Sequence, residues 1–263
     1  EIKQNMKIHG TAKGGAISRK NFGVAFGGGG GVIAKSPDEI DDLYAWWDFS
    51  DSDTITSSGG YISAITDKSS NSFTMAQSTS ADQPKVVDSS QNGLDTANFA
   101  DKTDAWMSAT GMNQASQPRT YFIVMKVPTS GYKTFFRSGK TGSPDNPSTM
   151  VQSMLQTATA NQFSMYGGSA SLTGTISGLH GTWQSMICIF NSANSSWNVD
   201  GTEELSGDAG NYLSGSINYI GVNADNANLY SNTEYGEIAI FESEISADDL
   251  ASLNAYAVDK WGL

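Results

Sequence analysis

The sequence predicts an all-β fold in which two facing antiparallel sheets are closed by one short C-terminal helix. Only 16% of its 263 residues are charged while 28 are glycine, a composition that favours short strands joined by tight turns. Short apolar runs recur along the chain with turn residues between them, as in β-sandwiches. The C-terminal end alone shows the spacing of a longer amphipathic helix.

The C-terminal quarter contains the clearest elements. Residues 236–241 form a short, isoleucine-rich apolar run, which predicts a strand covered on both faces. Ser246 lies three residues before Asp249, so its hydroxyl is expected to cap a helix there. One apolar stripe of that helix is formed by Leu250, Leu253, Ala257 and Trp261.

Residues 1–36 differ from the rest and predict an N-terminal arm with a glycine-rich hinge, followed by one domain over 37–263. Five consecutive glycines at 27–31 lack the Lys-Ser/Thr of a phosphate-binding loop, so they indicate a hinge. The apolar residues before them suggest an arm that docks on a neighbouring subunit through Phe22, Val24 and Phe26. A disordered leader is the alternative.

The domain itself begins with a capped turn after Ser36, followed by an aromatic strand around Trp46 and Trp47. Further strands are predicted at 121–127, 183–190 and 196–199, and Trp183 is expected in the core. The lone Cys188 shares an alternation face with apolar neighbours, which predicts a buried thiol. A hairpin turn is expected at 200–201, an Asp-Gly pair.

Two ends of the chain resemble a known group. The Trp-x-Asp-x-Ser-Asp segment at 46–51 precedes Ile-Thr-Asp-Lys-Ser at 65–69 and Gln-Pro at 83–84. With the closing segment 236–263 and its final Trp-Gly-Leu, these motifs resemble laminin-G-like, concanavalin A-like jelly-roll domains. The resemblance implies a two-sheet jelly-roll sandwich. The arm resembles the leaders of bacteriophage head or tail proteins.

Calcium is the cofactor that the sequence suggests, although no motif requires one. Asp48, Asp51 and Asp53 cluster in one loop, and hard carboxylate oxygens suit that ion. The resemblance adds weight, since laminin-G-like domains often bind calcium at a sheet rim. The alternative is that these side chains cap turns at strand ends.

Glycan binding and glycan cleavage are two further hypotheses. The amide-rich loop 223–232 could contact a sugar through Asp225, Asn226, Asn228 and Tyr230. Cleavage on this fold needs paired carboxylates about 5 Å apart. The resemblance implies that these carboxylates follow the pattern Glu-x-Asp-x-(x)-Glu on one strand. Glu237 and Glu242 match only the ends of this pattern, because Ala239 replaces the central acid, so catalysis is disfavoured.

The charge balance of 15 basic against 27 acidic residues gives −12, which disfavours nucleic-acid binding. No apolar run approaches a membrane span. The sequence thus predicts a non-catalytic structural or adhesive module of a virion surface, present as a homo-oligomer or in many copies. Its arm would dock on other virion proteins and its jelly roll could touch host-surface glycans. A secreted, lectin-like extracellular protein is the alternative, and a glycoside hydrolase is less favoured.

Overall fold

The computed structural model describes residues 31–102, 105–112, 117–129, 131–139, 150–159, 161–211, 216–221 and 231–263. Residues Val32–Leu263 form one compact unit. The predicted docking residues Phe22, Val24 and Phe26 lie outside the described residues, and the predicted arm and its boundary at residue 36 stay predictions.

The described residues form seventeen strands and one α-helix. The first nine strands are β1 (Leu43–Asp48), β2 (Ile55–Ser58), β3 (Tyr61–Thr66), β4 (Thr74–Ala76), β5 (Lys85–Gln91), β6 (Leu94–Asn98), β7 (Met107–Thr110), β8 (Arg119–Lys126) and β9 (Lys133–Gly139). The others are β10 (Met150–Gln156), β11 (Gln162–Tyr166), β12 (Ser171–Thr175), β13 (Trp183–Phe190), β14 (Ser195–Val199), β15 (Thr202–Gly207), β16 (Ile217–Ile220) and β17 (Glu234–Phe241), followed by α1 (Ala247–Trp261).

The strands pair antiparallel in two layers. The layer that carries α1, here called the helix-side sheet, has the order β15–β14–β13–β8–β17–β1, and the β5–β6 hairpin continues it from the start of β17. The opposite layer, here called the far sheet, has the order β12–β11–β10–β9–β16–β7–β4–β3–β2. This arrangement confirms the predicted all-β jelly-roll sandwich.

Side chains that alternate along the central strands build two hydrophobic clusters. In β17, Ile238 and Ile240 point into the main core between the sheets, whereas Ala239 and Phe241 pack beneath α1. Because both faces are covered, every residue from Tyr235 to Phe241 is buried. The prediction of a strand covered on both faces is therefore confirmed.

Helix α1 seals the outer face of the helix-side sheet. The Ser246 hydroxyl accepts the Asp249 N–H at 3.1 Å, as the sequence predicts, and Gly262 ends the helix with a φ of 69°. Leu253, Ala257 and Trp261 are fully buried against the sheet. The chain before β1 is tied to the same helix, because Lys35 Nζ pairs with Asp249 at 2.5 Å.

Several local predictions are also confirmed. A capped 3-10 turn occupies Pro37–Glu39, and Asp200 and Gly201 form the β14–β15 turn with φ of 47° and 80°. Cys188 is a buried free thiol in the main core. Trp183 differs from its prediction, because it lies outside the main core and is only half-buried on the outer face of the helix-side sheet.

Candidate functional site

The three aspartates of the predicted calcium site lie near the end of β1. Lys68 Nζ sits between two of them, 2.7 Å from Asp51 Oδ2 and 3.2 Å from Asp48 Oδ2. Asp51 also caps a turn by accepting the Asp53 N–H at 3.3 Å. Nowhere in the described ranges do three or more acidic, histidine or cysteine side chains form a group that could hold a metal. These contacts favour the turn-capping alternative, and calcium binding stays a prediction.

Asp48 makes the stability of the domain depend on pH. Burial alone would raise the pKa of Asp48, but Lys260 and Lys68 hold that pKa below its ordinary value of 3.8. The folded state therefore keeps this carboxylate ionised where the unfolded chain takes up a proton. The resulting stabilisation is fully present above pH 3.8 and is lost as the pH falls through the lower folded pKa.

We expect Asp48→Asn to remove this acid dependence. At neutral pH the variant should have a lower free energy of unfolding than the wild type. This difference should disappear as the pH falls below about 4, because the wild type loses the same charge there. Urea unfolding at a series of pH values measures the difference. Burial raises the pKa of Glu237, which acts with the opposite sign, so the two proteins are compared at each pH; loss of the Asp48 charge also removes part of the rise in the Glu237 pKa. A deficit that stays constant down to pH 2 would contradict this account.

Glu237, the candidate catalytic carboxylate, is fully buried beneath α1. It accepts hydrogen bonds from Trp46 Nε1, Tyr256 OH at 2.8 Å, Trp261 Nε1 at 2.9 Å and Lys260 Nζ at 3.0 Å. Glu242 is exposed and pairs with Arg119 at 3.4 Å. Glu237 has no access to a substrate in this structure, and its role is to anchor the helix to the sheet.

The predicted glycan-contacting residues Asp225, Asn226, Asn228 and Tyr230 lie outside the described residues. Their role stays a prediction. The last residue of that loop, Asn232, is described and lines a small groove at the loop end of the helix-side sheet.

A larger groove lies beside the first turn of α1, on the outer face of the helix-side sheet, with a volume of about 560 Å³. We call it the helix-side groove. In β14, Trp197 and Val199 point into the main core, so Ser196 and Asn198 face the groove from the intervening positions. Its other polar lining comes from Asn194, Ser195, Glu203, Ser206 and Glu244, and its apolar lining includes Ile189, Ile245 and Leu250.

The groove floor is pre-positioned by hydrogen bonds. Asn198 donates its amide hydrogens to the Ile187 carbonyl at 3.3 Å and to Ser196 Oγ at 3.2 Å. These bonds fix the carboxamide, whose oxygen can then accept a hydrogen bond from a ligand. Glu203 and Glu244 at the rim add carboxylate acceptors, and none of the residues described as lining the groove is lysine or arginine. This lining suits a neutral molecule with many hydroxyl groups.

The outer face of the far sheet also carries polar side chains, in one line across four strands. Register places Ser108, Tyr219, Arg137 and Ser153 side by side. Arg137 and Ser153 at the centre of this line are each 1% exposed. The line therefore gives a ligand less access than the helix-side groove does.

Sequence reasoning missed the helix-side groove. Its floor residues occur in the strand that the sequence predicts at 196–199, but Ser and Asn on the outer face of a strand are also typical of plain surface. None of the helices in the described part of the chain has the length and apolar character needed to span a membrane.

No protein-family model matches the sequence, and no curated protein matches it. Solved structures of similar fold include domain 4 of a GH43 extracellular arabinanase from Geobacillus stearothermophilus in complex with arabinotriose, at 15% identity and a TM-score of 0.55. That likeness covers 82% of this chain and 100% of the arabinanase domain.

Two further similar structures are longer proteins. The binding domain of botulinum neurotoxin serotype D has a TM-score of 0.59 at 10% identity, over 85% of this chain and 53% of that one. Trypanosoma rangeli sialidase in complex with sialic acid has a TM-score of 0.56 at 11% identity, over 83% of this chain. The present chain spans 33% of the sialidase.

At these identities the likeness shows the fold alone. The chain belongs to the structural class of jelly-roll β-sandwich domains, and the arabinanase domain with this fold was solved in complex with arabinotriose. The laminin-G-like relationship, the virion-surface location, the virion partners and the multicopy assembly stay predictions.

Proposed function

We propose that this domain is a non-catalytic carbohydrate-binding module that holds a neutral oligosaccharide in the helix-side groove. The observation that carries the proposal is the groove itself: it has a volume of about 560 Å³ and is lined by hydroxyl, amide and carboxylate groups together with apolar side chains. This volume lies within the range of small-molecule sites. The sugar-bound domain of the arabinanase, which has the same fold, supports the proposal.

The charge of the groove favours neutral over acidic sugars. Glu203 and Glu244 contribute two carboxylates that can each accept sugar hydroxyls, since hydrogen bonds to ionised acceptors are the stronger ones. An acidic sugar would place its own carboxylate beside them, in a protein whose net charge is −12. Arabinotriose should therefore bind more tightly than a sialic-acid-bearing trisaccharide.

Glu203→Gln is expected to weaken arabinotriose binding about tenfold, because one hydrogen bond to a charged group contributes roughly 1.5–3 kcal/mol. Glu204→Gln provides the matched control. Glu204 is exposed on the same strand and undergoes the same change of charge, but it does not line the groove. Isothermal titration calorimetry of the full chain measures both variants.

Equal affinities for the two variants would place the sugar elsewhere. A neutral and an acidic trisaccharide bound with equal affinity would contradict the charge argument. No heat of binding across neutral oligosaccharides, with the wild type folded, would overturn the proposed function.

A further inference from the structure

A second, smaller groove of about 200 Å³ lies at the loop end of the helix-side sheet, where β8 ends and β17 begins. We call it the loop-end groove. Its polar lining includes Asn98, Lys126, Thr129, Asn232 and Glu234. Lys126 Nζ lies 3.6 Å from Glu234 Oε1, so the groove contains one charge of each sign.

Two of these polar groups are held in position by other parts of the chain. Glu234 Oε2 accepts hydrogen bonds from Ser90 Oγ at 2.5 Å and Thr96 Oγ1 at 3.1 Å. Asn98 Oδ1 accepts the Ala100 N–H at 2.6 Å, which leaves its amide hydrogens to donate to a ligand. Lys126 keeps 42% of its side chain exposed.

A half-buried aromatic residue, Trp183, lies beside Lys126, next to the residues that line the loop-end groove. Trp183 is the register partner of Lys126 on the neighbouring strand, and Gly181 just before it lines the groove. The indole of Trp183 stacks on that of Trp261 with centroids 6.2 Å apart and an angle of 11° between the planes. Trp261 is fully buried while Trp183 is half-buried, so the buried ring supports the accessible one.

We infer that the loop-end groove is a second carbohydrate site, which takes a single neutral sugar ring at a chain end or branch. The apolar face of the ring would lie against Trp183, and its hydroxyls would meet Lys126, Asn98 and Glu234. This inference rests on the proposed function, because it assigns a second contact to the same ligand class.

Both grooves border the helix-side sheet. The first includes Ile189 and the second Gly181, near opposite ends of β13, so they lie roughly 26 Å apart at about 3.3 Å per residue. A polysaccharide surface could occupy both at once. Simultaneous occupation would raise the avidity well above the affinity of either groove alone.

Calorimetric titration of the full chain with arabinotriose tests the inference. We expect two arabinotriose molecules to bind per wild-type chain. In Lys126→Met the affinity of the loop-end groove should fall about tenfold, so that only one molecule binds at moderate concentrations. Lys85→Met is the matched control, because Lys85 is 45% exposed and also pairs with a carboxylate, Asp101, at 3.6 Å. It lies outside both grooves and should leave two sites.

The indole N–H resonance of Trp183 gives an independent readout. It should shift on titration with arabinotriose, in the wild type and equally in Glu203→Gln. Trp183→Ala should bind one sugar, and Trp183→Phe, which keeps an aromatic face, should recover most of the second site. Circular dichroism confirms that each variant is folded.

The failures of the two proposals are distinguishable. One sugar per chain, lost in Glu203→Gln, with no movement of the Trp183 resonance, would overturn the second site and leave the first. A shift of Trp183 with unchanged binding in Glu203→Gln would support the loop-end groove alone. No binding of any kind would overturn both.

Discussion

Replacing Lys260 with methionine is expected to destabilise the domain by about 3–5 kcal/mol, because buried Glu237 loses its ion-pair partner and buried Asp48 keeps only Lys68. Lys260 Nζ lies 2.8 Å from Asp48 Oδ2 and 3.0 Å from Glu237 Oε2. Asp48 is 3% exposed and Glu237 is not exposed at all. Methionine fills a similar volume, so the loss of charge is the main change.

An exposed lysine provides the comparison. Lys35 pairs with Asp249 at 2.5 Å, but its side chain is 39% exposed, so Lys35→Met should cost less than about 1 kcal/mol. Guanidinium-induced unfolding at pH 7 measures both. Equal costs for the two variants would mean that the buried carboxylates find other partners.

A double variant separates the charge of Glu237 from the packing of α1. Glu237→Gln removes one of the two carboxylates that Lys260 neutralises, so adding it to Lys260→Met should recover part of the lost stability. A double variant less stable than Lys260→Met alone would show that Glu237 acts through its hydrogen bonds to Trp46 and Trp261 more than through its charge.

The elements that the sequence predicts are those specified by local pattern. The helix follows from its Ser246 cap and apolar stripe, and the doubly covered strand from a run of apolar residues at 236–241. The two-sheet architecture follows from many such strands separated by turns. Each of these signals is contained in a short window of sequence.

The sites depend instead on residues that are distant in sequence. Whether Glu237 faces substrate or a sealed interior is decided by Lys260, Trp261 and Trp46, and Trp46 lies 191 positions away. In the same way, Lys68 and Lys260 form ion pairs with Asp48, so the acidic loop belongs to an ion-pair network and is not a cluster of unpaired carboxylates. The helix pattern predicted that α1 packs on a sheet, but not which side chains lie under it.

The helix-side groove was missed for a related reason. It forms where the outer face of β14 meets the first turn of α1, and residues of both elements line it. Asn198 and Ser196 become candidate ligand contacts only once α1 is placed beside them. A concave site between two elements has no signature in either element's own sequence.

Trp261→Ala is expected to cost about 3–5 kcal/mol, because Trp261 is fully buried and its truncation leaves a cavity between α1 and the sheet. Gly236 explains how closely the indole fits. A Cβ added there would lie 2.7 to 2.9 Å from three atoms of the Trp261 ring, so Gly236→Ala should cost about 1–3 kcal/mol.

The two changes should not be additive, and this is the sharper test of the packing. With Trp261 already reduced to alanine, the added methyl of Gly236→Ala would enter vacant space and should cost almost nothing further. Urea unfolding of the two single variants and the double variant measures the coupling. Costs that simply add would mean that the Gly236 backbone meets some other obstacle, and that Trp261 does not set the distance between α1 and β17.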